Sequence, residues 1–298
     1  MVWQHGQEIA AWGEPDRADL TFSVAKTYLA LLAGLAQGQG LLPDEDAPVV
    51  ERLPGIGFDG EHNRGITWTH LLTLTSEWEG TCFSLPDTVD RWRQARGEPD
   101  PSAGPRGGAR PLQAPGTYWE YNDVRINQLS LALLHLFRMP LQQVFLEQVL
   151  QPLGGGDGFA WRAYDDAWIE LPGVGRVPSV PGGTHWGGGV SISARDQARI
   201  GQLVLDHGVS AGRQIVPRAW LDKMAEPCPV APFYGRLVWL NRDGEAFPGA
   251  SRYAVFMRGA GGNTVWVDPA FEAVVVLRWL DPEHLPAAIE QLATALAG

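Results

Sequence analysis

At 298 residues, 45% apolar and 19% charged, the chain is too long for one small binding module and too apolar for a disordered protein. Its formal net charge of −11 argues against nucleic acid as the main partner, because no excess of Lys and Arg exists to neutralise phosphates. Two distant cysteines, Cys82 and Cys228, make no disulfide framework, and no Cys/His cluster has zinc-ligand spacing, so no metal or cofactor is expected.

In chain order, residues 2–12 predict a short hairpin turning at Gly6. Gln, His and Glu stand where the apolar core of a signal peptide would run. No stretch of about 18 apolar residues follows, so a cytoplasmic chain without a membrane span is expected. A helix is predicted from Ser23 to Gln37, apolar nearly all round and stopping at Gly38 and Gly40. Residues 66–75 predict a second helix with Thr67 as its N-cap. His70 here and His135 further on read as core or surface histidines. Residues 95–116, rich in Gly, Pro and Arg, read as a long surface loop. Helices follow over 122–138 and 140–151, split by Pro140, and 154–190 reads as irregular chain with short strands. An amphipathic helix covers 193–206 and ends at Gly208. From Tyr234 the period becomes two, giving antiparallel strands at 234–242, 252–258, 263–269 and 272–280, and then a helix from Pro286 to Leu296. The elements assemble economically as an α/β (α+β) fold. Residues 1–40 and 190–298 form an antiparallel sheet flanked by helices, residues 41–189 form an inserted, mostly helical domain, and the cleft lies at their junction.

Ser23-Val24-Ala25-Lys26 carries the sharpest chemistry. On a helix, positions i and i+3 share a face, so the Lys26 amine reaches the Ser23 hydroxyl. At a helix start, free N–H groups and the dipole favour a developing anion. Serine is a weak nucleophile until a base takes its proton. Of the 23 basic residues only Lys26 and Lys223 are lysines, and Lys, unlike Arg, can give up its proton when desolvated. A desolvated Lys26 among Val24, Ala25 and Tyr28 is therefore a candidate base.

Tyr121-Asn122-Asp123, just before a helix, offers a proton relay in Tyr121; alternatively the segment is an ordinary cap. Arg258-Gly259-Ala260-Gly261-Gly262-Asn263 lies between two strands and either supplies an oxyanion-hole N–H or is a glycine hairpin turn. His185 and Trp186, in a glycine-flanked stretch, and Trp119 are candidate pocket residues for acyl or aryl groups. Gly208-Val209-Ser210-Ala211-Gly212 fits G-x-S-x-G, the nucleophile elbow of α/β-hydrolases, but lacks the strand before it and the helix after it. Residues 55–60 fit G-x-G-x-x-G without opening a helix, so a dinucleotide site is not expected.

SVAK at 23–26, WEYND at 119–123 and RGAGG at 258–262, in that order, make the chain resemble the penicillin-recognising serine hydrolases over nearly its whole length. The likeness is closest to the class C β-lactamase-like branch, with family VIII carboxylesterases and 6-aminohexanoate-dimer hydrolases. The resemblance implies a β-lactamase/transpeptidase-like fold with Ser23 acylated, Lys26 its base partner, Tyr121 the tyrosine of a Tyr-x-Asn motif, and an oxyanion hole from Ser23 and the Gly259–Gly261 segment. Three departures stand out. Arg258-Gly259-Ala260 replaces the family's Lys-Thr-Gly, Asp123 replaces its asparagine, and the stretch before Ser23 is short. The expected activity is hydrolysis of small esters of short acyl or aryl type. Amides of the nylon-oligomer type follow, then β-lactams or D-Ala-D-Ala peptides; a sensor that acylates without turnover is the non-enzymatic alternative.

Overall fold

Alternation along the last strands decides which faces are buried. The computed structural model describes residues 1–93, 104–183 and 187–298. Strands β1 (Val2–Gln4) and β2 (Gln7–Ala10) form the expected hairpin, and β3 (Asp19–Leu20) leads through a 3-10 turn at Phe22–Val24 into helix α1 (Ala25–Gly38). Short helices α2 (Val49–Arg52) and α3 (Trp68–Leu72) follow, then β4 (Thr81–Cys82), β5 (Leu85–Pro86) and a 3-10 turn at Asp87–Asp90. Helix α4 (Asp123–Phe137) and helix α5 (Leu141–Phe145) flank Pro140, and α5 runs on through a π turn to Leu150. Strands β6 (Ala160–Arg162), β7 (Trp168–Leu171), β8 (Gly175–Pro178) and β9 (Gly189–Ile192) precede α6 (Ala194–Leu205). After β10 (Val209–Ser210), β11 (Arg213–Gln214) and α7 (Arg218–Met224), the chain closes with β12 (Trp239–Leu240), β13 (Val255–Gly259), β14 (Asn263–Asp268), β15 (Ala273–Leu277) and α8 (Leu285–Leu296).

The main sheet is antiparallel, in the order β12-β13-β14-β15-β1-β2, so strands from the two ends of the chain pair directly, Val2 opposite Val275. Val265, Val267, Val274 and Val276 face the large core that holds α1 and α6. Trp266, Val275 and Leu277 face the second core, with Leu285 and Ile289 of α8. A sheet covered on both faces explains why Val274-Val275-Val276-Leu277 is apolar without a break. Gly201 lets α6 lie close, since a Cβ there would sit 2.4 Å from Val274. Helix α1 is buried from Ala25 to Ala36, as its all-round apolar surface requires, and packs against α4.

Thr67 caps α3 as expected, and His70 completes a capping box, its Nδ1 accepting the Thr67 N–H at 3.1 Å. That helix is only five residues long. Leu74, at φ 60°, turns the chain out of it so that the Leu74 and Thr75 carbonyls accept N–H groups of Glu120 and Gly116. The strand expected over 234–242 shrinks to Trp239–Leu240. Leu237 sits at φ 56° and gives its N–H to Leu72, while its carbonyl accepts the Thr27 hydroxyl at 2.7 Å. The preceding residues are thus committed to the helical layer, and α7 was not anticipated at all. Of the expected surface loop, residues 95–103 lie outside the described residues, and Arg110 points inward rather than to solvent.

Candidate functional site

The candidate serine stands where backbone strain and helix start coincide. Phe22, at φ 52°, occupies the left-handed region that a β-carbon disfavours, and Ser23 follows, half-buried, in the 3-10 turn that feeds α1. One turn on, Lys26 is 1% exposed, with its Nζ 3.0 Å from Ser23 Oγ, 3.2 Å from the Gly182 carbonyl and 2.6 Å from Asp123 Oδ1. These three acceptors match the three N–H bonds of an ammonium. A neutral amine fits the same place, donating to Gly182 and Asp123 and accepting the Ser23 hydroxyl.

Tyr121 is buried beside this group, its ring centroid 4.7 Å from Lys26 Nζ. The next two residues divide the labour. Asn122 caps α4, accepting the Val124 N–H at 3.0 Å and donating to the Asp87 carbonyl, which fixes how the chain enters the helix. Asp123 turns inward. Its N–H donates to Asp90 at 3.0 Å, and its Oδ1 takes both Lys26 and, at 3.1 Å, Arg93. Burial pulls the Arg93 guanidinium down, but Asp123, Asp90 and Tyr121 outweigh it and leave it above its ordinary value.

The glycine segment meets the serine from the sheet side. A Cβ on Gly259 would lie 2.3 Å from the Thr21 carbonyl and 3.0 Å from Ser23 N, so only glycine lets β13 come this close. Gly261 and Gly262, at φ 69° and 67°, make the turn into β14, and Asn263 braces it by donating to the Ala260 carbonyl at 2.8 Å. Gly259 thus permits the close approach to Ser23, and the following pair of glycines makes the hairpin.

Arg258 lies over the rings of Trp239 and Phe247, 5.5 Å from each. Burial pulls its guanidinium below the ordinary value, against an opposing effect of Tyr121. Trp119 packs with Tyr121, Phe233, Tyr234 and Trp239, forming an aromatic wall that also touches the tyrosine. A cavity of about 170 Å³ opens beside it, lined by Phe233, Trp239, Glu245, Phe247 and Arg258. His185 and Trp186 lie outside the described residues. Among the described residues, no three His, Cys, Asp or Glu side chains are grouped to hold a metal ion.

Three contributors were not anticipated from the sequence. Arg93 is one. Gly182 and Gly183 are the others. A Cβ on the first would strike Ile126 at 2.2 Å, and one on the second would stand 2.9 Å from Asp123 Oδ2. The Pro-Gly-Gly run at 181–183 was the available signal for the glycines.

The decoys resolve on geometry. Ser210 sits in the two-residue hairpin of β10 and β11, with no helix behind it, and Gly208 takes the exit from α6, its N–H bonded to Leu203. Residues 55–60 form a loop closed by Asp59 on the Gly55 N–H. Lys223, in the last turn of α7, pairs with Glu45. A larger cavity of about 510 Å³ lies behind Trp279, but its lining holds no Ser, Cys or Lys, and its Arg17, Arg278, Asp19 and Glu14 pair with one another.

A sequence model of the Beta-lactamase family matches residues 1–283. The chain belongs to that family of β-lactamase-fold serine hydrolases. A 6-aminohexanoate-dimer hydrolase from Paenarthrobacter ureafaciens is 32% identical over 111 residues, 32% of this chain and 26% of that protein, so the match spans about a quarter of the hydrolase's length. Among solved structures, EstCE1, a hydrolase with promiscuous acyltransferase activity, superposes with a TM-score of 0.66 at 19% identity, covering 100% of this chain and 92% of its own. A penicillin binding protein from Bacillus halodurans gives 0.66 at 19% identity over 98% and 94%. These structural likenesses are to the fold, which is the β-lactamase/transpeptidase-like one expected. Among the described residues no single helix is long and apolar enough to cross a membrane.

Proposed function

We propose that the protein hydrolyses small carboxylic esters through an acyl-enzyme on Ser23. The observation that carries this reading is the 3.0 Å contact between Ser23 Oγ and a fully buried Lys26 amine. Ser23 Oγ attacks the ester carbonyl carbon while its proton passes to Lys26, with Tyr121 beside the path. The carbonyl oxygen becomes an oxyanion facing the N–H of Ser23 and one from the Gly259–Gly261 segment. The bond to the leaving oxygen then breaks as that oxygen takes the proton, and an alcohol departs. Water adds to the acyl carbon, the bond to Oγ breaks, and Oγ recovers a proton as the acid leaves. No co-reactant beyond water is needed.

Esters come first because their leaving oxygen needs less assistance than an amide nitrogen, and because, by the sequence resemblance, Arg258 replaces the family's lysine. The aromatic wall of Trp119 and Trp239 favours acyl or aryl groups. The likeness to the 6-aminohexanoate-dimer hydrolase supports a second reading, cleavage of linear amides.

Turnover of p-nitrophenyl acetate and butyrate, beside nitrocefin, tests the reading in wild type, Ser23→Ala and Ser210→Ala. Ester turnover should fall by about 10³-fold or more in Ser23→Ala and persist in Ser210→Ala. Undiminished turnover in Ser23→Ala would remove the mechanism. One acyl group trapped per chain without release would make the protein a sensor, and faster loss of nitrocefin would make it a lactamase.

A further inference from the structure

The buried carboxylate of Asp123 poses a problem for the reaction just proposed. Within 2.6 Å of an amine that is 1% exposed, a carboxylate attracts positive charge to that amine, and an ammonium cannot accept a proton from Ser23. An asparagine at this place, the family's usual residue, would exert no such attraction. The chain carries a compensating cation. Arg93 Nη1 lies 3.1 Å from the same Oδ1 atom that Lys26 uses. Its guanidinium also lies 5.0 Å from the Tyr121 ring centroid, so it flanks the tyrosine as Lys26 does.

We infer that Arg93 is a positioning residue that shares Asp123 Oδ1 with Lys26 and thereby frees Lys26 to act as a base. This rests on the reading that Lys26 takes the Ser23 proton. The exchange of Asn for Asp adds one negative charge to the site, and Arg93 adds one positive charge back. Arg93 works in two ways. It draws the carboxylate's charge toward itself, and it repels a cationic Lys26. An arginine suits this task because it stays charged, so the proton can leave only from the lysine.

Other charged or titratable groups among the described residues also lie around this cluster. Asp90 accepts the Asp123 N–H and pairs with Arg93 at 3.4 Å, while Arg106, half-exposed, neutralises it at 2.5 Å. Tyr164 and Tyr234 are held neutral, burial and the nearby Asp123 both pushing their hydroxyls up. Arg258 faces Tyr121 from β13. Arg93 and Lys26 both form ion pairs with Asp123, through the same Oδ1 atom.

Because the chain has only two lysines, its lysine side chains give two resonances when labelled with ¹³C at Cε, and Lys223→Arg assigns them. Titrating Lys26 through the alkaline range compares wild type, Arg93→Met, Arg93→Lys and the double variant Arg93→Met/Asp123→Asn. Arg93→Met should raise the Lys26 pKa by about one unit, a tenfold loss of the neutral amine at a given pH. The acidic limb of kcat/KM for p-nitrophenyl acetate should move up with it. Arg93→Lys should keep most of the wild-type position, and the double variant should return to it. A Lys26 titration unmoved in Arg93→Met overturns the proposal. So does a double variant that stays shifted, or a wild-type Lys26 that remains charged up to alkaline unfolding. The resonance needs no turnover, so a wild type that titrates as described but hydrolyses no ester would refute the ester reading and leave the role of Arg93 intact.

Discussion

Two buried clusters of charge lie side by side in this protein, and they are built differently. One holds Glu77, Asp87 and Glu120 against Arg91, Arg110 and Arg125, three negative charges against three positive. Arg125, wholly buried, gives its Nε to Asp87 at 2.8 Å and an Nη2 to Glu120 at 2.8 Å. The other cluster holds, among the described residues, Asp90 and Asp123 with Arg93, Arg106 and Lys26, and its lysine touches the serine. The two clusters are threaded by one short segment. Arg91 and Arg93 flank Trp92, whose φ of 60° turns the chain so that one arginine serves each cluster. The neutral, all-arginine cluster suits a fixed frame, because guanidinium groups keep their protons and bridge carboxylates in fixed geometry. The cluster that includes a lysine suits a site where a proton moves, because a lysine, unlike an arginine, can give its proton up.

Exchanging the cations between the two clusters should have the largest effect. Lys26→Arg keeps the charge beside Asp123 but removes a group able to lose its proton. Ester turnover should fall by about 10³-fold, while the denaturation midpoint stays close to that of wild type. Stopped-flow or steady-state assay with p-nitrophenyl butyrate, beside a urea curve, reads both quantities. Turnover near the wild-type rate would mean that the amine's proton is irrelevant and that the two clusters do the same work.

The opposite exchange should act on stability. Arg125→Met leaves Glu77, Asp87 and Glu120 with one cation too few, in a place where no water reaches Arg125. Breaking a buried pair from one side costs about 3–5 kcal/mol, so the urea midpoint should fall steeply. Activity per folded molecule should fall far less than in Lys26→Arg. A stability loss confined to the surface-pair range, about 1 kcal/mol or less, would show that this cluster is no frame.

The two clusters also differ in how far the sequence reveals them. Ser23 and Lys26 are three residues apart on one helix, so their contact follows from helical period alone. The strands that bury both faces of the sheet were equally legible, because Val274 to Leu277 and Asn263 to Asp268 declare their length in residue type. The partner that Lys26 finds in Asp123 is 97 positions away, and Arg93 arrives from a loop, so no local pattern joins them. Arg110 shows the same limit in the frame. Among glycines and prolines it reads as a loop cation, yet it is buried between Glu77 and Glu120 because the chain after Leu74 pairs with residues 116–120. The shortened strand at Trp239 failed for a related reason, since the apolar run before it packs on α1 instead of on a neighbouring strand.

The smallest effect tests whether the frame is set from outside by the capping box at Thr67. His70 stands against Gly116, where a Cβ would lie 2.8 Å from its Nε2, at the start of the segment that carries Glu120. Burial lowers the His70 pKa in the folded chain, against opposing effects of Asp46 and Gly65, so the unfolded chain binds the proton more readily. With the folded pKa depressed, the contribution is fully present above the unfolded value and is lost as pH falls below about 6.5 toward the folded one. Protonation also removes the Nδ1 lone pair that accepts the Thr67 N–H. The wild-type urea midpoint should therefore decline over that interval more than the midpoint of His70→Gln, whose amide can accept the same N–H without titrating. His70→Ala should cost about 1 kcal/mol at neutral pH through loss of half the capping box. Equal pH slopes for wild type and His70→Gln would show that this imidazole titrates alike in both states and that the frame is insensitive to it.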